Sequence, residues 1–163
     1  LGGAGRSASV FLETFYEGLQ PLSEDVVLGR EYWNAILAVK AAVNKALEEA
    51  KNSGIAKKGG SLSTEVTLYC TPELRERLSM IGNELRFVLL TSEAVLDDFA
   101  RRPATAVATD VEGLAVEIRS SPHTKCERCW HYRPEVGHLS THSDLCQRCV
   151  DNVDGSGEMR SFA

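Results

Sequence analysis

The chain has 163 residues, 43% apolar and 25% charged, with 18 Lys and Arg against 23 Asp and Glu for a formal net charge of −5. That balance excludes a disordered, collagenous or coiled-coil chain, and the longest aliphatic run, Ala35 to Val39, is far short of the roughly 20 residues that cross a bilayer. The acid excess also excludes a nucleic-acid binder that works by bulk charge, so any such role rests on a local site or a larger parent.

Taken from its start, the chain opens on Leu1 without a basic segment leading into an apolar one, which reads as a fragment or processed chain not marked for export. A short apolar stretch runs from Val10 to Tyr16. Glu31 to Ala50 is the clearest helix, because Trp33, Ile36, Leu37, Lys40, Val43, Leu47 and Ala50 recur at three- and four-residue spacing. Gly54 and Lys57-Lys58-Gly59-Gly60 end it in a mobile loop. Val66, Leu68 and Cys70 then alternate with Thr67 and Tyr69, the period of a half-buried strand with Cys70 as a small core hydrophobe.

Thr71-Pro72 supplies an N-cap and a first-turn proline for a short helix over Leu74, Leu78 and Ile81 that Gly82 stops. Phe87 to Leu90 reads as a strand covered on both faces, far enough from Cys70 for a parallel crossover. Arg101 to Asp110 reads as a loop, and Leu114, Val116 and Ile118 as a third strand exposed on one side. After Ser120-Ser121-Pro122 the composition changes, and all four histidines and four of the five cysteines lie in the last 43 residues. The fold class is therefore α+β. A helical segment (1–60) precedes a small α/β unit with a three-stranded sheet (61–120) and a four-cysteine zinc ribbon (121–163).

The four cysteines are Cys126-x2-Cys129 and Cys146-x2-Cys149, sixteen residues apart. Cysteines two residues apart make poor structural disulfides but hold two thiolates on one turn toward a common ion. Zinc is preferred to iron, and a site with four thiolates leaves no open position for water, so the metal is structural. A segment this short buries too little apolar surface to fold unaided, and the metal would supply the missing stability. Paired acids such as Glu48-Glu49 and Asp97-Asp98 read as solvated faces, no histidine has a neighbouring carboxylate at a spacing that fixes a tautomer, and no catalytic constellation is visible.

Arg128 and Trp130 flank Cys129 on the first knuckle. Two readings fit that spacing equally. The pair stacks on and contacts an unpaired base, or Trp130 covers the knuckle while Arg128 caps thiolate charge.

The stretches Lys125-Cys126-Glu127-Arg128-Cys129-Trp130-His131-Tyr132 and Leu145-Cys146-Gln147-Arg148-Cys149-Val150-Asp151-Asn152-Val153, with Gly157 to Ala163, resemble the C-terminal zinc module of bacterial-type isoleucyl-tRNA synthetase. Gly59-Gly60-Ser61-Leu62, Val66-Thr67-Leu68-Tyr69 and Glu84 to Ser92 resemble the segment that joins that family's anticodon-binding bundle to the module, and Ser9 to Leu12 and Tyr16 to Leu19 the end of the bundle. The family usually has an acidic residue directly after the leucine where Ser63 stands here. The resemblance implies a cytoplasmic, monomeric class I enzyme that activates isoleucine with ATP, charges tRNA(Ile) and edits valine in a separate domain. Its signatures His-Ile-Gly-His and Lys-Met-Ser-Lys-Ser are absent from these residues. The resemblance thus implies the end of the anticodon-binding domain plus the zinc module, which touches the anticodon stem-loop through Arg128 and Trp130 around one Zn2+ and leaves catalysis to the parent. Two other classes stay open: a formamidopyrimidine-type DNA glycosylase, whose zinc finger has nearly the same cysteine spacing, and a zinc-ribbon protein-interaction module with Trp130 and Tyr132 as its apolar contact patch.

Overall fold

The computed structural model describes residues 9–12, 14, 18–21, 26–56 and 60–162. Tyr16 and the Lys57-Lys58-Gly59 loop lie outside the described residues. Helix α1 runs Arg30–Asn52. It buries Tyr32, Ile36, Val39, Val43, Ala46, Leu47 and Ala50, a three-and-four stripe that faces β4 and α3. The expected stripe was rotated by part of a turn, since Leu37 is exposed while Tyr32, Val39 and Ala46 are buried. Tyr32 is drawn inward because its hydroxyl donates to the Arg77 carbonyl at 3.1 Å.

Strand β1 (Thr64–Cys70) is central. Along one side it pairs in parallel with β2 (Glu93–Asp98), in the register Glu65 to Glu93 through Cys70 to Asp98. Along the other it pairs antiparallel with β4 (Leu114–Ser120), from Thr64 opposite Ser120 to Cys70 opposite Leu114. Two of the three expected strands, β1 and β4, are thus present where expected, the third long strand is β2 instead, and a two-residue strand β3 (Val107–Ala108) adds a fourth beyond β4, inside the segment expected to be a loop. Val66, Leu68, Cys70, Leu114 and Val116 bury the inner face against α1, and burial pushes the Cys70 thiol up to about 11. The third strand is not open on its other side, because Ala115 and Glu117 are also buried there.

The crossover from β1 to β2 contains helices α2 (Pro72–Ser79) and α3 (Leu85–Leu89). Phe87–Leu89 is therefore helical, against the expected strand. Leu85 and Leu89 bury at i,i+4 spacing, and Leu90 closes the turn in the left-handed region at φ 57°. The parallel partner of β1 lies three residues further on, where Ala94 and Leu96 pack on the core and Glu93, Val95 and Asp97 point away from it. Thr71 sits at the N-cap of α2 without a side-chain capping bond. Instead it crowds Gly113, where a Cβ would lie 2.6 Å from its Cγ2, while its N–H donates to the Gly113 carbonyl.

Hydrogen bonds at Ser92, Arg133 and Glu84 help fasten the cysteine-rich segment to the sheet and to α3. Ser92, fully buried, donates from its hydroxyl to the Leu62 carbonyl and accepts from the Tyr132 N–H at 2.6 Å. Arg133 Nη1 donates to the Ser92 carbonyl at 3.2 Å and meets Glu93 Oε2 at 2.6 Å. Glu84 accepts from the Ser161 and Phe162 N–H groups, which draws the last described residues against α3.

Candidate metal centre and nucleic-acid interface

A short ribbon of β5 (Thr124–Lys125) and β6 (Tyr132–Arg133) frames the first knuckle. Within it the Cys126 N–H donates to the His131 carbonyl at 2.9 Å and the Trp130 N–H to the Cys126 carbonyl at 2.9 Å, so the chain turns back on itself around Cys129. The second knuckle is the start of helix α4 (Gln147–Val153), with Cys146 at its N-cap and the Cys149 and Val150 N–H groups donating back to the Cys146 carbonyl. The Glu127 N–H bonded to the Asp144 carbonyl at 3.1 Å and the Cys146 N–H on Cys126 Sγ at 3.3 Å hold the two knuckles face to face. A small apolar cap of Val136 and Leu145 packs beside them.

The Sγ atoms of Cys126, Cys129, Cys146 and Cys149 all lie within 4.8 Å of one another. Cys129 and Cys146 are 3.6 Å apart, too far for a disulfide near 2.05 Å and close to the edge of roughly 3.8 Å that a zinc–sulfur distance near 2.3 Å gives a tetrahedron. Cys126, Cys146 and Cys149 are buried and Cys129 partly so, which shields the cluster from water. The thiols do not titrate alike. The hydrogen bond from Cys146, helped by His131 and Arg148, holds the Cys129 thiol well below its ordinary value. Cys146 is pushed up by its contact with Cys129 and by burial, and burial raises Cys149. The donor set, its spacing and the amide on a sulfur all fit a closed tetrahedral zinc site.

The four histidines stay outside this cluster. His131 faces the Cys129 carbonyl through Nδ1 at 3.2 Å and meets the Phe87 ring edge-on. His142 Nε2 lies 2.6 Å from Asp154 Oδ2 and His123 Nε2 lies 3.7 Å from Glu65 Oε1. Both carboxylates come from distant parts of the chain, so local spacing could not reveal these pairs, and neither pair adjoins the thiols.

Arg128 and Trp130 emerge on the same knuckle and point differently. Arg128 Nη1 donates to Cys149 Sγ at 3.7 Å, so its guanidinium reaches the thiol cluster. Trp130 is 61% exposed with Lys125 Nζ 5.8 Å from its ring centroid, which leaves it a poor cover for the sulfurs. Its backbone is left-handed at φ 66°, a conformation that costs a non-glycine residue about 1–2 kcal/mol.

The residues that sequence reasoning missed lie behind the knuckles. Arg86, Arg148 and Arg160 place their guanidiniums 4.7, 5.0 and 4.2 Å from the Phe87 ring centroid. Arg148 and Arg160 also meet Glu158 Oε1 at 2.8 and 3.1 Å. One signal was available: Arg148 occupies the same place in its knuckle as Arg128 does in the first.

Residues 125–152 match the family described as "Zinc finger found in FPG and IleRS". The chain is 55% identical over 159 residues to an isoleucine–tRNA ligase of Hahella chejuensis, 50% over 161 residues to one of Alkalilimnicola ehrlichii and 51% over 158 residues to one of Pseudomonas aeruginosa. Each match covers 97% of this chain, and the chain spans only 16 or 17% of those relatives' length. The finger alone is common to two enzyme classes, whereas the similarity continues through α1 and the sheet to one of them. The four thiols are gathered as that finger requires, and the chain is similar over nearly its whole length to isoleucine–tRNA ligases, of which it spans about one sixth.

Proposed function

We propose that this chain is the tRNA-contacting end of an isoleucine–tRNA ligase, in which one structural zinc, held by Cys126, Cys129, Cys146 and Cys149, presents Trp130 to the anticodon stem-loop of tRNA(Ile), with the exposed Arg128 beside it free to reach the tRNA through donors other than the Nη1 that meets Cys149. On this reading the helical residues 1–60 close the anticodon-binding bundle, 61–120 join it to the zinc module at 121–163, and the rest of a cytoplasmic, monomeric protein activates isoleucine with ATP and charges the tRNA. The observation that carries the reading is Trp130. A large aromatic ring stands 61% exposed on a left-handed residue, where glycine would sit without strain. Retained strain at an exposed aromatic supports a recognition role, because a rigid ring stacks on an unpaired base at little cost in entropy. The half-buried Tyr132, tied through its N–H to Ser92, offers less to a protein-interaction patch. The near-full-chain similarity to ligases favours a synthetase over a glycosylase.

The test is titration of the zinc-loaded chain with a tRNA(Ile) anticodon stem-loop and with duplex DNA, together with metal analysis of the same samples. One zinc per chain is expected, with preference for the stem-loop. Trp130→Ala should weaken stem-loop binding about 10- to 100-fold, as loss of one stacked base implies, with zinc retained. Unchanged binding with zinc retained refutes the recognition role, and loss of zinc in Trp130→Ala would return that residue to structural cover.

A further inference from the structure

Both knuckles carry the same pattern. Cys126-Glu127-Arg128-Cys129 and Cys146-Gln147-Arg148-Cys149 each place an arginine immediately before the second cysteine. In the fold these arginines change sides. Arg128, from the first knuckle, donates to Cys149 Sγ of the second at 3.7 Å. Arg148, from the second, lines one small cavity together with Cys129 of the first and with Cys146.

We propose that this exchange is charge compensation, with Arg128 and Arg148 as positioning residues that neutralise the zinc tetrathiolate, each guanidinium serving the other knuckle's second cysteine. The inference rests on the reading of the four cysteines as zinc ligands. Four thiolates around a divalent cation leave a charge of about −2. Cys126, Cys146 and Cys149 are each at most 1% exposed, and charge buried to that degree is heavily penalised unless paired. Two guanidiniums restore neutrality, and the Cys146 N–H on Cys126 Sγ disperses charge at a ligand that neither arginine serves.

The two arginines are unequal. Arg128 is exposed, so water and salt screen it, whereas the Arg148 side chain is only 18% exposed and is fixed by Glu158 and the Phe87 ring. Glu158 is shared with Arg160, so it does not cancel Arg148 alone. Arg148 therefore carries the larger share. The crossed arrangement also links the knuckles, since neither thiolate pair is compensated until the other has docked.

Competition of the zinc-loaded full chain against a chromogenic chelator measures zinc affinity directly. Arg148→Gln should weaken it about 10- to 100-fold, the range typical of residues that orient metal ligands from outside the coordination sphere. Arg148→Lys, which keeps the charge, should lose less, and Arg128→Gln only a few-fold. Arg160→Gln leaves both Arg128 and Arg148 in place and releases Glu158 to Arg148 alone, and should lose clearly less than Arg148→Gln. Wild-type affinity in Arg148→Gln overturns the proposal, as does an equal loss in Arg148→Lys and Arg148→Gln, or an equal loss in Arg160→Gln. Should Arg148→Gln fail to fold with zinc in excess, as judged by circular dichroism, the exposed Arg128→Gln decides, and unchanged zinc affinity there overturns the proposal. A wild-type chain that takes up no zinc refutes the ligand reading itself, a result distinct from all of these.

Discussion

Replacing Ser92 by alanine removes one oxygen from the junction between the sheet and the metal-binding segment. The hydroxyl is fully buried, donates to the Leu62 carbonyl and accepts from the Tyr132 N–H at 2.6 Å. Alanine leaves both backbone groups without a partner while losing almost no packing volume. A buried unsatisfied group costs about 1–3 kcal/mol, and Tyr132 is only half-buried, so the pair should cost about 2–4 kcal/mol. For a chain of this size 1 kcal/mol moves the melting midpoint by roughly 2–4 °C, which puts Ser92→Ala about 4–16 °C below wild type. Circular dichroism melts at fixed zinc and protein concentration measure this. Ser79→Ala is the comparison: its hydroxyl donates to the Glu76 carbonyl at 2.7 Å on an exposed helix face, and its change should stay within about 0.5 kcal/mol. A Ser92→Ala melt within about 1 °C of wild type would refute the claim that this hydroxyl joins the two parts.

Other outcomes follow from the same contacts. Burial pushes the Glu117 carboxyl up, but hydrogen bonds from Thr105, Arg119 and Tyr69 outweigh it and hold it below the usual carboxylate range. Its contribution is therefore present above the unfolded value near 4.3 and is lost as pH falls through the folded one. Glu117→Gln should cost about 1–3 kcal/mol at pH 7 and progressively less below about pH 4, read from urea midpoints in which zinc-linked losses common to both proteins cancel. Leu90→Gly should stabilise by about 0.5–1 kcal/mol, because the left-handed φ of 57° suits glycine and the leucine side chain is exposed, and an unchanged or lower urea midpoint would contradict this. Chelation of zinc should abolish amide protection over residues 121–162 and lower it at Ser92 and β2, with α1 and β1 still protected in hydrogen exchange. Full protection of β2 after chelation would show that the contacts through Ser92 and Arg133 carry no coupling.

What the sequence revealed depended on how local each signal was. The four cysteines declared themselves because metal geometry constrains residues two apart, and α1 because its stripe repeats over six turns. Phe87 to Leu90 misled because four apolar residues satisfy a buried strand and a short helix equally, and only the left-handed turn at Leu90 separates them. Strand β2 was hidden by its acids, whose partners, Arg133 for Glu93 and Arg101 for Asp97, become visible only in three dimensions for the first pair. Its inward residues, Ala94 and Leu96, are too few to show a period. The contact of Arg128 with Cys149 was half-readable as thiolate capping, but its direction across the knuckles was not, since it depends on how two separate turns dock.

The left-handed backbone at Trp130 sets two kinds of selection against each other at a single position. Any procedure that ranks substitutions by folding stability, whether a directed screen for thermotolerance or slow drift under heat, will favour glycine there, because glycine relieves the strained φ of 66° and gives up little buried surface. That exchange would yield a sturdier finger with an unaltered metal and no exposed ring. Persistence of tryptophan at this knuckle across variants chosen only for function, and its disappearance among variants chosen only for heat resistance, would mark the residue as held in place by what it touches outside the fold.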